Sequence, residues 1–271
     1  VKDLKSVLEV ASLTHPGMVR SHNEDSIAAD PEIGLAVLAD GMGGYNAGEV
    51  ASGIAVAMVS AEMKKALGGG ARTALNGARA EALISEFSAR ANSAIYRAAQ
   101  SQPRYSGMGT TLVVALWHDN QVSVGHVGDS RVYRLRRNVL EQITRDHSLL
   151  QEQIDGGIIT KDQARFSQNK NLVTRAVGID PEVEAEVHTY PVEAGDLYLL
   201  CSDGLSDMVP DEDIELTLSS LQSNLPLAAQ QLVQQANDNG GRDNISVILV
   251  RVAALLPART GLIGRLKAWI R

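Results

Sequence analysis

Cysteine is almost absent from this chain: Cys201 stands alone among 271 residues. A lone cysteine excludes an internal disulfide framework and any zinc site built from several thiolates. Aromatic residues make up only 4%, so a core has to rest on Val, Leu, Ile and Ala. No apolar run approaches the roughly 20 residues of a membrane-spanning helix. The first residues, "VKDLKSVLEVASLTHPG", lack the apolar stretch of a signal peptide, so a cytoplasmic location is expected. Basic residues are in deficit, and a formal net charge of -7 argues against nucleic acid as a partner. Two phosphate-cradling loops are missing as well: no "GxxxxGK[ST]" occurs, and "GMGGYN" breaks the "GxGxxG" pattern at Asn46. A cysteine-based phosphatase is excluded because Asp207 stands where the loop after Cys201 would need Arg.

What is present fits a globular protein, with 44% hydrophobic and 21% charged residues and neither repeats nor a low-complexity linker. Short strand-like runs cover 7–14, 25–30, 34–40, 109–117, 121–128, 130–136 and 139–144. The Asp-Asn and Arg-Asn links among the later runs predict antiparallel hairpins. A further hairpin is expected from "VEAEVHTYPV" and "DLYLLCS", and a final strand from 244–252. Helical spacing runs over 47–67, with Val50, Ile54, Ala57, Met58 and Ala61 on the apolar face. It returns over 73–100, 211–222 and 226–238, while 148–178 reads as a short helical excursion or flap. Strands in two runs and helices in two groups predict sheets packed face to face with helices outside them. One domain, 1–254, is expected, followed by a tail, 255–271.

Carboxylates recur at the ends of these strands. "GLAVLADG" and "DLYLLCSDG" place Asp40 and Asp203 directly after apolar runs. Asp243 immediately precedes one in "GGRDNISVILV", and Asp129 lies between two in "SVGHVGDSRVYR". The remaining Asp-Gly pair, Asp155-Gly156, sits in a polar stretch and reads as a turn. If the strands share sheets, these side chains converge, and clustered negative charges call for a cation. Oxygen-only ligands suit Mg²⁺ or Mn²⁺. The glycines after Asp40 would admit carbonyls and bulky substrate groups to the metal. "R-S-H-N-E-D-S" adds Glu24, Asp25 and Arg20, whose planar fork matches two phosphate oxygens; a solvated charged loop is the alternative. Cys201 reads as core, and His126 as a structural histidine on an alternating strand.

Taken in order, "R-x-x-N-E-D", "ADGMGG", "GTTLV", "GHVGDSRVYR", "TRDHS", "LVTRAVG", "CSDGLSD" and "GGRDNISVILV" resemble the metal-dependent protein serine/threonine phosphatases of type 2C, in particular their compact bacterial members. The resemblance covers about 9–252. It implies an α+β fold, a four-layer α-β-β-α sandwich with two central antiparallel sheets flanked by helix pairs. It also implies two core Mn²⁺ or Mg²⁺ ions and a third, weaker one. Asp40 would bridge the core ions with the Gly41 carbonyl beside it. Asp203 and Asp243 would complete one ion, Glu24 would serve the other, and Asp25 would order its waters. Asp129 and Asp203 would hold the third ion, and Arg20 the substrate phosphate. The implied chemistry is in-line attack by a metal-activated water, without a phosphoenzyme.

Met42 stands where animal relatives carry a His proposed as the acid, as is common in bacterial members. A metal-bound water is therefore the expected proton donor, with His147 as a second candidate. Tyr45 replaces a His frequent in bacterial relatives. The expected partners are phosphorylated proteins and a cognate Ser/Thr kinase, and the protein is expected to be a monomer. A pseudophosphatase would be expected to lack acidic ligands, which are all in place here. A small-molecule phosphohydrolase using the same metals stays open. In the tail, Leu262, Ile263, Leu266, Trp269 and Ile270 share a helical face opposite Lys267 and Arg271. That pattern fits contact with an anionic membrane or a partner, or packing on the domain itself.

Overall fold

The computed structural model describes residues 4–44, 47–68, 75–160, 163 and 172–256. Tyr45, part of the expected flap (161–162 and 164–171) and the tail from 257 lie outside the described residues.

The strands are β1 (Leu8–His15), β2 (Asp25–Asp30), β3 (Leu35–Met42), β4 (Gly109–Thr110), β5 (Leu112–His118), β6 (Gln121–Val127), β7 (Arg131–Arg136), β8 (Val139–Gln142), β9 (Glu186–Pro191), β10 (Leu197–Cys201) and β11 (Ile245–Val252). One sheet has the order β1-β11-β10-β7-β8, the other β2-β3-β5-β6-β9 with β4 on β3. Every described strand pairing is antiparallel. Helices α1 (Ala47–Leu67) and α2 (Gly77–Ser101) cover the outer face of the second sheet. Helices α5 (Asp211–Leu221) and α6 (Leu225–Asp238) cover the outer face of the first. Two short helices, α3 (Leu149–Asp155) and α4 (Asp203–Ser206), complete the described set. The expected α+β, α-β-β-α sandwich is thus the observed fold. No described helix is long and apolar enough to cross a membrane.

Strand alternation sorts the core. In β3, Leu35, Val37 and Ala39 face the helices, whereas Ala36 and Leu38 face the other sheet. Val113, Ala115 and Trp117 of β5 meet Tyr198 and Leu200 of β10 and Ile248 and Val250 of β11 in the same inter-sheet layer. Trp117 stands edge-on to Tyr198, with ring centroids 5.5 Å apart. Leu256 is also buried there.

Two expected hairpins form. Asp119-Asn120 joins β5 to β6 and Arg137-Asn138 joins β7 to β8, all four residues having φ between 45° and 60° as a type I′ turn demands. The hairpin expected from 183–202 does not form. β9 pairs with β6, whereas β10 lies between β7 and β11, so the chain crosses from one sheet to the other between them. Both strands carry inward apolar residues, and local alternation does not say which sheet receives them. The run 109–117 is also broken at Thr111, whose N–H donates to the Asp40 carbonyl.

Helix α1 turns a different face inward from the one expected. Ala51, Ala55, Val59 and Met63 are buried, Ala57 and Ala61 are exposed, and Val50, Ile54 and Met58 lie on the flank. In the first turns, where Gly48, Ala51 and Ala55 face inward, the cause is close approach to β3, which only small side chains permit. A Cβ on Gly48 would lie 2.7 Å from the Gly41 carbonyl carbon.

Trp117→Ala should cost about 3–5 kcal/mol of stability, the usual loss for a fully buried aromatic. Urea unfolding in the presence of chelator, followed by circular dichroism, measures it.

Candidate metal centre

The inter-sheet layer ends in polar residues because strand alternation continues after the apolar positions stop. Inward Ile27 and Ala29 lead back to Asp25, and Ala36 and Leu38 lead on to Asp40. By the same parity Thr111 follows from Val113, Ser130 from Val132, Ser202 from Leu200, and Ser246 from Ile248. Asp25 and Asp40 are directly paired in the β2–β3 ladder. Asp203 opens α4 one residue later, Asp129 lies in the β6–β7 connection, and Asp243 stands just before β11. Folding therefore brings the sequence-predicted acidic residues to one end of the sandwich.

Hydroxyl groups tie that end together. The Ser202 hydroxyl donates to Asp25 Oδ2 (2.9 Å) across the sheets, and its oxygen accepts the Ser246 N–H (3.0 Å). Thr111 Oγ1 accepts the Asp40 N–H (2.9 Å) and shares a 2.8 Å hydrogen bond with Ser130. Thr110 Oγ1 donates to the Asp40 carbonyl (2.8 Å). Asn244, 5% exposed, accepts the Glu24 N–H (2.7 Å) and donates to the carbonyls of Pro16 and His22. It thereby pins the loop that carries Arg20 to the start of β11. These supporting residues were not singled out in the sequence. For Asp129, Asp203 and Asp243 the signal is a Ser or Asn adjacent in sequence (Ser130, Ser202, Asn244), whereas the threonines that support Asp40 lie 70 and 71 residues away.

The glycines after Asp40 and Asp203 are also required by packing. A Cβ at Gly41 would lie 2.2 Å from the Gly48 carbonyl oxygen and 2.6 Å from that of Glu24. One at Gly204 would lie 1.9 Å from the Asn244 carbonyl oxygen. Each Asp-Gly pair thus lets a neighbouring backbone press against the residue after the carboxylate. Gly41 and Met42, moreover, belong to β3 and pair with β4 rather than forming a loop.

Like charges in a poorly solvated space hold on to protons. Burial, more than any neighbour, pushes the Asp25 carboxyl up to about 6, against the opposing Ser202 hydrogen bond. Burial and then Asp146 raise Asp129 to about 6. Asp40 and Asp203 lie well above the usual carboxylate range, again from burial first, with Asp25 acting next on Asp40 and Asp129 next on Asp203. Glu24 is raised by burial and lowered in part by Arg20. The Arg20 Nη2 donates to Asp243 Oδ2 at 2.7 Å, with both side chains partly exposed.

Asp25 Oδ1 and Asp203 Oδ1 are buried without a hydrogen-bond partner. Unpaired buried carboxylate oxygens among further carboxylates fit oxygen-ligated divalent cations, which supply the missing charge. The donor set therefore fits Mg²⁺ or Mn²⁺.

A separate cluster, His126, His147 and Glu186, also brings its donor atoms within 4.8 Å of one another. It is ill suited to a metal. The two rings stack at 4.6 Å and 18°, so their in-plane lone pairs do not converge. His147 Nδ1 accepts the Gly128 N–H (3.2 Å), which places the proton of a neutral ring on Nε2, 3.3 Å from Glu186. Burial lowers the pKa of His147 further, and neither nitrogen is left for a leaving group. His126 Nε2 meets the Arg145 carbonyl at 2.7 Å, in keeping with its expected structural role. Cys201 is core as expected, its thiol pushed up to about 12 by burial.

A carboxyl whose pKa is raised on folding binds its proton more tightly in the native state. Its contribution to stability is complete below about 3.8 and is lost as pH rises, for Asp25 and Asp129 through about 6. In chelator at pH 7.5, Asp40→Asn should therefore unfold at a temperature about 3 °C or more above the wild type, a shift worth about 1 kcal/mol in a domain of this size. That advantage should shrink towards pH 4, which differential scanning calorimetry at the two pH values checks.

Comparison with known proteins agrees with this geometry. The family described as Protein phosphatase 2C matches residues 19–246. The serine/threonine phosphatase stp of Listeria monocytogenes is 38% identical over 240 residues, 88% of this chain and 93% of its own length. The crystal structure of the Mycobacterium tuberculosis serine/threonine phosphatase PstP/Ppp superimposes with a TM-score of 0.80 at 38% identity, covering 91% of this chain and 99% of that one. The PstP catalytic domain in complex with two manganese ions gives a TM-score of 0.78 at 38% identity, covering 90% and 98%. With its sandwich, its buried carboxylates and a family match over most of its length, the chain belongs to the protein phosphatase 2C family of metal-dependent serine/threonine phosphatases.

Proposed function

We propose that this protein removes phosphate from phosphoserine and phosphothreonine in proteins, opposing a Ser/Thr kinase, with Asp40 at the centre of its metal site. The observation that carries this reading is the convergence of Asp25, Asp40, Asp129, Asp203 and Asp243 at one end of the sandwich, with buried oxygens of Asp25 and Asp203 unpaired. Asp40 and the Gly41 carbonyl would hold two Mn²⁺ or Mg²⁺ ions between them. Asp203 and Asp243 would complete one site and Glu24 the other, while Asp25 would orient water. Asp129 and Asp203 would hold a third ion. When bound, such ions lower the pKa of water towards neutrality and offset phosphoryl charge.

The rest falls to the chain's own groups. Ser202 fixes the orientation of Asp25, and Thr110 and Thr111 fix the backbone of Asp40. Asn244 holds the loop of Arg20. One Arg20 nitrogen meets Asp243, and the guanidinium retains donors for two phosphoryl oxygens. A pseudophosphatase is disfavoured because each expected acidic residue is present. A small-molecule phosphohydrolase is distinguished by comparing turnover of phosphopeptide with that of free phosphoserine.

Turnover of a phosphothreonine peptide should require Mn²⁺ or Mg²⁺ and stop in chelator. Asp40→Asn, Asp203→Asn or Asp243→Asn should each lower kcat by at least ~100-fold. A near-normal rate for Asp40→Asn in a malachite-green phosphate assay would sink the mechanism.

Arg20→Ala should act mainly on KM, with a loss of about 1.5–3 kcal/mol in kcat/KM, the scale of a charge-assisted hydrogen bond. Steady-state kinetics on one phosphopeptide separates the two parameters, and unchanged values would return Arg20 to a solvated loop.

A further inference from the structure

We infer that a cavity beside the acidic cluster receives a lysine or arginine side chain flanking the phosphorylated residue of the substrate. This rests on the phosphoprotein phosphatase activity proposed above and adds to it a preference among substrates. The cavity, of about 380 Å³, is bounded by α3, by the segment from α4 to the start of α5, and by β7 and β8. Asp129 and Asp203 belong both to its wall and to the acidic cluster, so it opens onto the place where phosphate would be hydrolysed. At roughly 30 Å³ per water molecule, it is far larger than a single ion with its ligands requires.

Its lining has two characters. Ile154 from α3 and Met208 after α4 supply apolar surface. Asp146, Asp207 and Asp211 add carboxylates to those of Asp129 and Asp203, against Arg131 as the cation among the described lining residues. Arg131 is already spent: its Nε and Nη2 clamp Asp146 at 3.0 and 2.7 Å, and its Nη1 donates to Tyr133. Among the described residues, the lining therefore keeps a net negative charge beside an apolar wall. A side chain that suits both has an aliphatic stem and a cationic head, as Lys and Arg do. An acidic flanking residue would meet repulsion, and a small neutral one would leave the space to water.

The test scans a lysine through the positions on either side of phosphothreonine in an otherwise neutral peptide. Norleucine, with a matching uncharged stem, and glutamate replace it in parallel series. With wild-type protein and Mn²⁺, one lysine position should raise kcat/KM about tenfold over norleucine, an advantage that added salt reduces. Glutamate there should fall below norleucine. Asp207→Asn combined with Asp211→Asn removes two charges while keeping an oxygen for the Tyr133 hydroxyl, which donates to Asp211 at 2.9 Å. Ile154→Trp narrows the space without altering charge. Each should reduce the lysine-to-norleucine ratio at least about threefold. Because the ratio is taken within one protein, a general loss of activity cancels. Hydrolysis of p-nitrophenyl phosphate, which has no flanking side chain, should continue in both variants. Equal turnover of all peptides by the wild type, or a lysine preference intact in both variants, overturns the inference while leaving the phosphatase activity standing. Absence of turnover on any phosphopeptide overturns the activity itself.

Discussion

The crowding of buried and half-buried carboxylates in a poorly solvated space is the constraint around which this sandwich is arranged. Asp25, Asp40, Asp129 and Asp203 crowd the end of the inter-sheet layer, and burial raises the pKa of each. Such an end works against folding while no cation is bound. The apolar remainder of the layer, from Ala36 and Leu38 to Trp117, Tyr198 and Ile248, offsets that cost with surface removed from water. The same arrangement suits hard cations, since the converging acidic side chains offer oxygen and neither thiolate nor imidazole.

Beside the Arg20–Asp243 ion pair, geometry at this end is kept largely by neutral groups. The Ser202–Asp25 and Thr111–Ser130 hydrogen bonds connect the two sheets on either side of Asp40. A hydroxyl can donate to a carboxylate without cancelling its charge, so such a bond orients Asp25 without replacing a cation. Close backbone contact does the remainder. Gly48 against Gly41, and Asn244 against Gly204, bring α1 and the start of β11 to distances that a Cβ would forbid. The glycines after Asp40 and Asp203 are thus packing requirements of the backbone that carries those aspartates.

The flank of the site is organised by strand crossings. Between β6 and β7 the chain leaves one sheet for the other, and Asp129 sits at that step. His147 and Gly128 exchange backbone and side-chain hydrogen bonds there, which attaches the root of α3 to the same crossing. Arg131, clamped to Asp146 and Tyr133, completes the wall next to it. Residues that lie far apart in sequence therefore share one rim around the carboxylates.

Much of this could be read from the chain. The placement of Asp40 and Asp203 directly after apolar strands, with Asp243 just before one, already specified a cluster of carboxylates at one end of the sheets. Period-two alternation and the Asp-Asn and Arg-Asn turns specified the strands and two hairpins, because both are set by contacts among near neighbours. Helix α1 was legible as a helix, but its buried face was not, since small residues face inward only where β3 approaches closely. The expected hairpin of 183–202 failed for a related reason: β9 and β10 satisfy their edges in different sheets, and alternation looks the same in either. The His126, His147 and Glu186 group, and the acidic cavity beside α3, exist only through segments brought together from distant parts of the chain. The sequence by itself determined the chemistry, because residue type fixes which atoms can bind a cation or a phosphate. Tertiary structure alone decided which of those atoms meet, how deeply they are buried and so how tightly they hold protons, because solvation and the distance between charges arise only on packing.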